Sequence, residues 1–165
     1  MKRIFPILLI LSLIVSLSAC QKKQTVYRDD LSCADLTEAV EAQIPVNFGY
    51  ESLGGDHIRY YFDNTGLPDD HSLRYSVLSE DLNEVGIFHS PTEASAEEML
   101  RLTERYLATI LEEKAAFVES YAPKEVPKLA GAEAKNIGNY TVYAILEEKD
   151  RALVFETVAK MLTRE

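Results

Sequence analysis

Apolar residues recur every three or four positions between Met99 and Val118, which predicts one long amphipathic helix. Its predicted inward stripe consists of Met99, Leu102, Tyr106, Ile110 and Phe117, with Leu100, Leu107, Leu111 and Val118 beside it. A capping box beginning at Ser90 or at Ser95 starts this helix. Pro123 ends it, and we expect Pro127 to keep the following connector extended.

Two stretches alternate in the manner of antiparallel hairpins. The first pairs a strand around Leu73–Val77 with a strand around Val85–Phe88, across a polar turn over residues 80–84. The second pairs Ala132–Ile137 with Tyr140–Leu146 across Gly138 and Asn139, residues that tolerate the positive φ of a tight turn. Both faces of the last strand are apolar, which predicts a central position in a sheet.

Shorter helices flank these units. Ser32 or Asp35 is expected to cap a first helix that runs to Ile44 before Pro45, and a second short helix is possible over residues 56–63. Asp150 is expected to cap a final helix. The resulting order predicts an α+β fold, a two-layer sandwich of a four-stranded antiparallel sheet with helices mainly on one face, built from two hairpin-helix units.

The N-terminus has the charge and hydropathy pattern of a secretory signal peptide. Lys2 and Arg3 precede an apolar stretch over residues 4–17. A helix of that length spans roughly 21 Å, which is short for a bilayer core of about 30 Å. We therefore expect a removable signal rather than a permanent membrane span.

Leu17-Ser18-Ala19-Cys20 follows this stretch and resembles the lipobox of bacterial lipoproteins. The resemblance implies recognition of Leu17, Ser18 and Ala19 by the signal peptidase, and attachment of diacylglycerol to the Cys20 thiol; an ordinary secretory signal is the alternative. It predicts a signal peptide over residues 1–19, lipidated Cys20 and a polar tether over residues 20–30, and one domain over residues 31–165. Membrane lipid is then a partner through acylated Cys20, since acyl chains anchor a protein stably.

Charge excludes one class of partner. The chain of 165 residues has a net charge of −10, and residues 29–165 hold 12 of the 17 basic and all 27 acidic residues, a net charge of −15. Such a domain repels nucleic acid, so we expect no nucleic-acid partner. If Cys20 is acylated, Cys33 is the one remaining thiol and the mature chain forms no internal disulfide.

Several stretches between residues 34 and 162 resemble the small secreted bacterial lipoproteins of Gram-positive anaerobes that share a single domain of unknown function. The resemblance rests on residues 94–100 at the start of the long helix, on the connector Tyr121-Ala122-Pro123-Lys124-Glu125-Val126-Pro127-Lys128-Leu129, and on Ile137-Gly138-Asn139-Tyr140. It implies an extracytoplasmic location at the cell membrane. It carries over no catalytic residues.

Candidate chemistry is sparse. Asp56-His57 and Asp69-Asp70-His71 combine acids with imidazole and could reach a metal, or could be turn residues. Cys33 could be a nucleophile, or simply a packed thiol. The chain has no phosphate-binding glycine loop, nucleophile elbow, His-Glu-x-x-His or Cys-x-x-Cys motif. We therefore predict no catalytic residue, metal or cofactor.

An aromatic group precedes the first hairpin and contains Phe48, Tyr50, Tyr60, Tyr61 and Phe62. These residues could complete the core or form a binding surface, because tyrosine combines contact area with a polar tip. The resulting hypothesis is a membrane-anchored, non-enzymatic binding module with a protein or small-molecule partner. The alternatives are a metal-dependent cell-envelope hydrolase that uses His57, His71 and a nearby Asp, and a structural envelope protein without a ligand.

Overall fold

The computed structural model describes residues 26–44, 68–76 and 81–164. The predicted signal peptide, Cys20, the possible helix over residues 56–63 and the aromatic group between Phe48 and Phe62 lie outside the described residues. Within them, the chain forms four strands, four α-helices and one short 3₁₀ helix.

A four-stranded antiparallel sheet organises the fold, in the order β1-β2-β4-β3. Its strands are β1 (Asp70–Tyr75), β2 (Glu84–His89), β3 (Glu133–Ile137) and β4 (Tyr140–Ile145). Both predicted hairpins are confirmed, and β4 is central and buried throughout. Gly138 adopts a φ of 61° in the turn between β3 and β4, as a two-residue hairpin turn requires.

Helices pack against both faces of the sheet. Helices α1 (Cys33–Glu41) and α4 (Glu148–Leu162) cover one face, where they meet Val85, Ile87 and Val142. Helix α2 (Glu93–Tyr121) and helix α3 (Val126–Ala130) cover the other, where they meet Phe88 and Tyr143. The predicted α+β class with helices on an antiparallel sheet is confirmed, but the expected placement of the helices mainly on one face is corrected to two faces. The physical reason is the apolar character of both faces of β4, each of which requires a cover.

Helix α2 begins at Glu93, between the starts of the two predicted capping boxes, and ends at Tyr121, before Pro123 as predicted. Its capping box differs from both predicted ones, because Thr92 is the N-cap: Thr92 Oγ1 accepts a hydrogen bond from the Ser95 amide, and Ser95 Oγ accepts one from the Thr92 amide. Met99, Leu102, Tyr106 and Ile110 are buried as predicted. Phe117 does not join this stripe: it is 54% exposed, whereas its neighbour Val118 is 1% exposed and belongs to the core, so the side of α2 that carries Val118 is the buried one at this end of the helix.

Three further details differ from the sequence predictions. The connector after α2 is not extended: Pro123–Glu125 forms a 3₁₀ helix that leads into α3, with prolines at early helical positions where no amide donor is needed. Glu147 and not Asp150 is the N-cap of α4, and Asp150 lies in the first turn. For α1, the predicted N-cap Ser32 is confirmed, since it accepts a hydrogen bond from the Asp35 amide, but the helix ends at Glu41 and not at Ile44.

The described chain enters at one end of the sheet. Tyr27 pairs with Thr163 after α4, and the Tyr27 side chain lies against Gly138 in the β3–β4 turn. The same end of the sheet holds His89, the last residue of β2. We call this the entry end. Glu84 and Ile145 lie at the opposite end, about 17 Å away at roughly 3.4 Å per strand residue.

Candidate functional site

Strand β2 carries an ionisable side chain at each end, and the two point to opposite faces of the sheet. Glu84 begins the strand on the α2 face, and His89 ends it on the α1 face, because side chains alternate along a strand. Each is the centre of a group of polar side chains. These two groups are the candidates for function among the described residues.

Two tyrosines hold Glu84. Tyr106 on α2 donates a hydrogen bond to Glu84 Oε1 at 2.6 Å, and Tyr143 on β4 donates to the same oxygen. The Tyr143 ring lies across Gly86, where no side chain competes for the space. Burial raises the pKa of Glu84, and the two hydrogen bonds and the charge of Lys114 offset only part of that effect. Burial and the Glu84 charge likewise raise the pKa of Tyr143.

A cavity of about 80 Å³ opens beside Glu84. Leu82, Ile110, Leu129 and Ile145 form its apolar wall. Its polar lining consists of Tyr75, Ser76, Asp81, Asn83, Glu84 and Lys114. The two tyrosines occupy one oxygen of Glu84, and no described residue donates a hydrogen bond to the other, Oε2. We call this cavity the Glu84 pocket.

Lys128 braces one side of the Glu84 pocket. Its Nζ is buried and lies 2.8 Å from Glu125 Oε2, 2.9 Å from Asn83 Oδ1 and 3.4 Å from Asp81 Oδ1. Glu125 Oε2 also accepts a hydrogen bond from the Leu82 amide at 2.9 Å. Burial alone would lower the pKa of Lys128, but these acceptors and their charges raise it. The cluster fixes residues 81–83, which lead into β2.

His89 is held between two carboxylates at the entry end. Its Nδ1 lies 2.6 Å from Asp69 Oδ1, and its Nε2 lies 2.8 Å from Asp29 Oδ1. Burial alone would lower the pKa of His89, but the hydrogen bonds and charges of Asp29 and Asp69 outweigh it, so the pKa is raised. Since carboxylates only accept hydrogen bonds, both ring nitrogens donate and His89 is favoured as imidazolium. We call this group the His89 clasp, because it ties the segment before α1 to the sheet.

Asp70, Cys33 and Tyr140, also at the entry end, have structural roles. Asp70 accepts a hydrogen bond from the Cys33 amide at 2.7 Å, at the N-terminus of α1, where the helix dipole favours an anion. Burial and the neighbouring Asp70 raise the pKa of the Cys33 thiol, which disfavours the nucleophilic thiolate. Tyr140 donates to the Leu31 carbonyl at 2.7 Å, and burial raises its pKa to about 12.

The predicted acid-imidazole cluster at residues 69–71 is not assembled. Asp69 pairs with His89, and Asp70 and His71 point to opposite faces of β1. Among the described residues, no three His, Cys, Asp or Glu side chains are arranged to hold a metal ion. His57 and the predicted binding-surface residues Phe48, Tyr50, Tyr60 and Tyr61 lie outside the described residues, as do Leu17, Ser18, Ala19 and Cys20.

Sequence reasoning missed both groups. The sequence pattern places Glu84 in a polar turn, and it places Tyr106 and Tyr143 on apolar faces. One signal was present: Glu84, Gly86 and Phe88 alternate on one face, and an acid in that series faces the core side. His89 had no local signal, because Asp69 and Asp29 lie 20 and 60 residues away along the chain.

Another exposed feature lies on α2. Phe117 and Tyr121 stack with their ring centroids 4.8 Å apart, and Tyr121 is 75% exposed. Two rings form a small surface, and nothing in the described chain indicates what would cover it. The Glu84 pocket is the better candidate for a binding site.

Comparison of the chain with family models, curated proteins and solved structures gives no match. The resemblance to the lipoprotein family therefore remains a prediction. In the part of the chain that the structure describes, no helix combines the length and the apolar character needed to cross a membrane.

Proposed function

We propose that the chain is a lipid-anchored, non-enzymatic binding module on the outer side of the cell membrane, which holds a small ligand in the Glu84 pocket. The observation that carries this proposal is the position of the pocket, at the end of the sheet opposite the entry of the described chain. A module anchored at its N-terminus would present this end to the surroundings.

The length of the tether sets how far the domain lies from the bilayer. Six peptide steps separate Cys20 from Val26, and at about 3.5 Å per step they span at most roughly 20 Å. Acylation of Cys20 would therefore keep the entry end near the headgroups. The Glu84 pocket would face away from the membrane, where a soluble ligand has access.

The hydrolase alternative finds little support among the described residues. It requires His71 and Asp69 or Asp70 to converge with His57. Asp69 instead contacts His89, and the alternation of β1 separates His71 from Asp70. The Glu84 pocket combines an apolar wall with a few convergent polar groups, which is the usual lining of a small-ligand site.

Metabolic labelling with an alkyne fatty acid tests the anchor. We expect label on the wild-type chain, loss of label and of membrane retention in Cys20→Ser, and no change in the matched variant Cys33→Ser. Protease added to intact protoplasts should digest the labelled domain. Label that persists in Cys20→Ser, or a domain protected from protease until the cells are lysed, would contradict the proposed location.

A further inference from the structure

The free oxygen of Glu84 lacks a cationic partner in the described chain. Lys114 is the one described cation whose charge acts on Glu84 with a resolved effect, and no described ion pair includes Glu84. A partly buried carboxylate without a cation is costly in its charged form. Tyr106 and Tyr143 stabilise the carboxylate only in part, since hydroxyl groups are neutral donors. The site therefore favours a ligand that brings a positive charge.

The shape of the Glu84 pocket limits the size of that ligand. A cavity of about 80 Å³ is roughly half the size of the ~150 Å³ engineered cavity that binds benzene. Only a few non-hydrogen atoms fit inside. The carboxylate is fixed by two hydrogen bonds, so its Oε2 presents a pre-organised acceptor to an ammonium group.

The two lysines near the pocket indicate which second charge the ligand should carry. Lys128 pairs with both Asp81 and Glu125 in its own cluster, so neither of these acids is without a cation. Lys114 lies on the exposed surface of α2, and no described carboxylate pairs with it. A ligand with an ammonium group at Glu84 and a carboxylate at Lys114 would give each of these two side chains a partner of opposite charge.

We propose that the Glu84 pocket binds a small zwitterion of the amino-acid type, with its ammonium group on Glu84 Oε2 and its carboxylate on Lys114. This inference rests on the proposed binding function and names the class of ligand. The four apolar wall residues leave room for a short aliphatic side chain and provide no partner for a second charge.

Calorimetry on the detergent-purified chain tests the proposal with three probes: glycine as the zwitterion, methylamine as the cation alone and acetate as the anion alone. We expect glycine to bind in the millimolar range and each single-charge probe to bind at least about tenfold more weakly. Glu84→Gln keeps the volume and the acceptor for the tyrosines, and should weaken glycine binding at least about tenfold. Lys114→Met should weaken it about fivefold.

Glu104→Gln is the matched control, because Glu104 is an exposed acid on the same helix and does not line the pocket. It should bind glycine as the wild type does. Equal binding by Glu84→Gln and the wild type, or no glycine binding by a folded wild-type chain, would overturn the proposal. Methylamine binding as tight as glycine, unchanged in Lys114→Met, would overturn the zwitterion class. Fatty-acid labelling of Cys20 is measured separately, so the anchored location stands or falls on its own result.

Discussion

The two ends of strand β2 show how the charge of a partner decides what burial does to an ionisable group. Glu84 at one end is held by neutral hydroxyl groups, and burial dominates, so the pKa of its carboxyl is raised and the charged form is disfavoured. His89 at the other end lies between two carboxylates, and their charges outweigh burial, so its charged form is favoured. The His89 end, where the charged group has partners of opposite charge, is suited to stabilising the fold. The Glu84 end, where the carboxyl has only neutral hydrogen-bond donors, is suited to binding a ligand.

The two ends also draw their partners from different parts of the chain. Glu84 is held by α2 and the neighbouring strand β4. His89 is held by segments that precede β1, and Asp29 lies only three residues after the start of the described chain. The Glu84 end therefore depends on the packed core, whereas the His89 end depends on the segment that leads from the predicted anchor.

The largest change in the free energy of unfolding is expected at Lys128, whose buried contacts fix residues 81–83 at the Glu84 end. Lys128→Met should lower the free energy of unfolding by about 3 kcal/mol, because it leaves Glu125, whose side chain is 11% exposed, without its cation. Urea unfolding followed by circular dichroism measures this change. Lys160→Met removes an exposed lysine of α4 and should cost less than about 0.5 kcal/mol. Equal costs for the two variants would show that the buried cluster is not what braces this end.

A smaller loss of stability is expected from a substitution at Gly86, which lies between the two ends of β2. A Cβ at this position would lie 2.0 Å from Tyr143 Cε1, so Gly86→Ala must displace a buried ring. We expect a loss of about 2 kcal/mol and weaker hydrogen bonding of Tyr143 to Glu84. In Gly131→Ala the nearest atom, at 2.7 Å, belongs to the flexible end of Arg151 and the Pro127 carbonyl oxygen lies at 3.0 Å, so the cost should be smaller, about 1 kcal/mol. An unchanged unfolding midpoint in Gly86→Ala would contradict the close approach of Tyr143.

The smallest effect is expected at the His89 clasp, and it depends on pH. The pKa of His89 is raised in the folded chain, so its contribution is complete below the unfolded pKa of about 6.5 and is lost as pH rises through the folded pKa. At pH 6 the wild type should be about 1 kcal/mol more stable than His89→Gln, and the difference should approach zero at high pH.

The groups that face His89 are Asp69 before β1, Asp29 before α1, and Tyr140 on β4, whose ring centroid lies 4.7 Å from that of His89. Asn139 reaches the same carboxylate of Asp29 at 3.0 Å. His71→Gln is the control, because no described ion pair includes the His71 ring. The proposed charge on the His89 clasp would be contradicted by a stability difference between the wild type and His89→Gln that does not change with pH. An equal pH dependence in His71→Gln would contradict it as well.

Periodicity predicted the elements of this fold well because each element is decided locally. The hairpins follow from two-residue alternation and a Gly-Asn turn, and α2 follows from a long apolar stripe. The face of the sheet that each helix covers was harder to predict from the sequence. The expectation of one covered face overlooked what the apolar alternation of β4 already implied, namely a cover on each side.

The candidate site was harder to predict because it is assembled from distant parts of the chain. Glu84 meets Tyr106 and Tyr143, which lie 22 and 59 residues further along. Asp69 and His71 are neighbours in sequence but have different partners, since alternation and strand pairing decide which side chains meet. Adjacency in sequence therefore suggested an acid-imidazole cluster at residues 69–71, whereas the fold paired Asp69 with His89.

The pKa of the Glu84 carboxyl, with and without glycine, tests the central claim most directly. Carboxyl-selective NMR on the isotope-labelled chain would follow Glu84, with the His89 ring as an internal reference. We predict that the pKa of Glu84 lies above its ordinary value of about 4.3 in the free chain and falls when glycine binds, because a bound ammonium group favours the carboxylate, while His89 is unaffected. A Glu84 carboxyl that titrates at its ordinary pKa and does not respond to glycine would contradict the account.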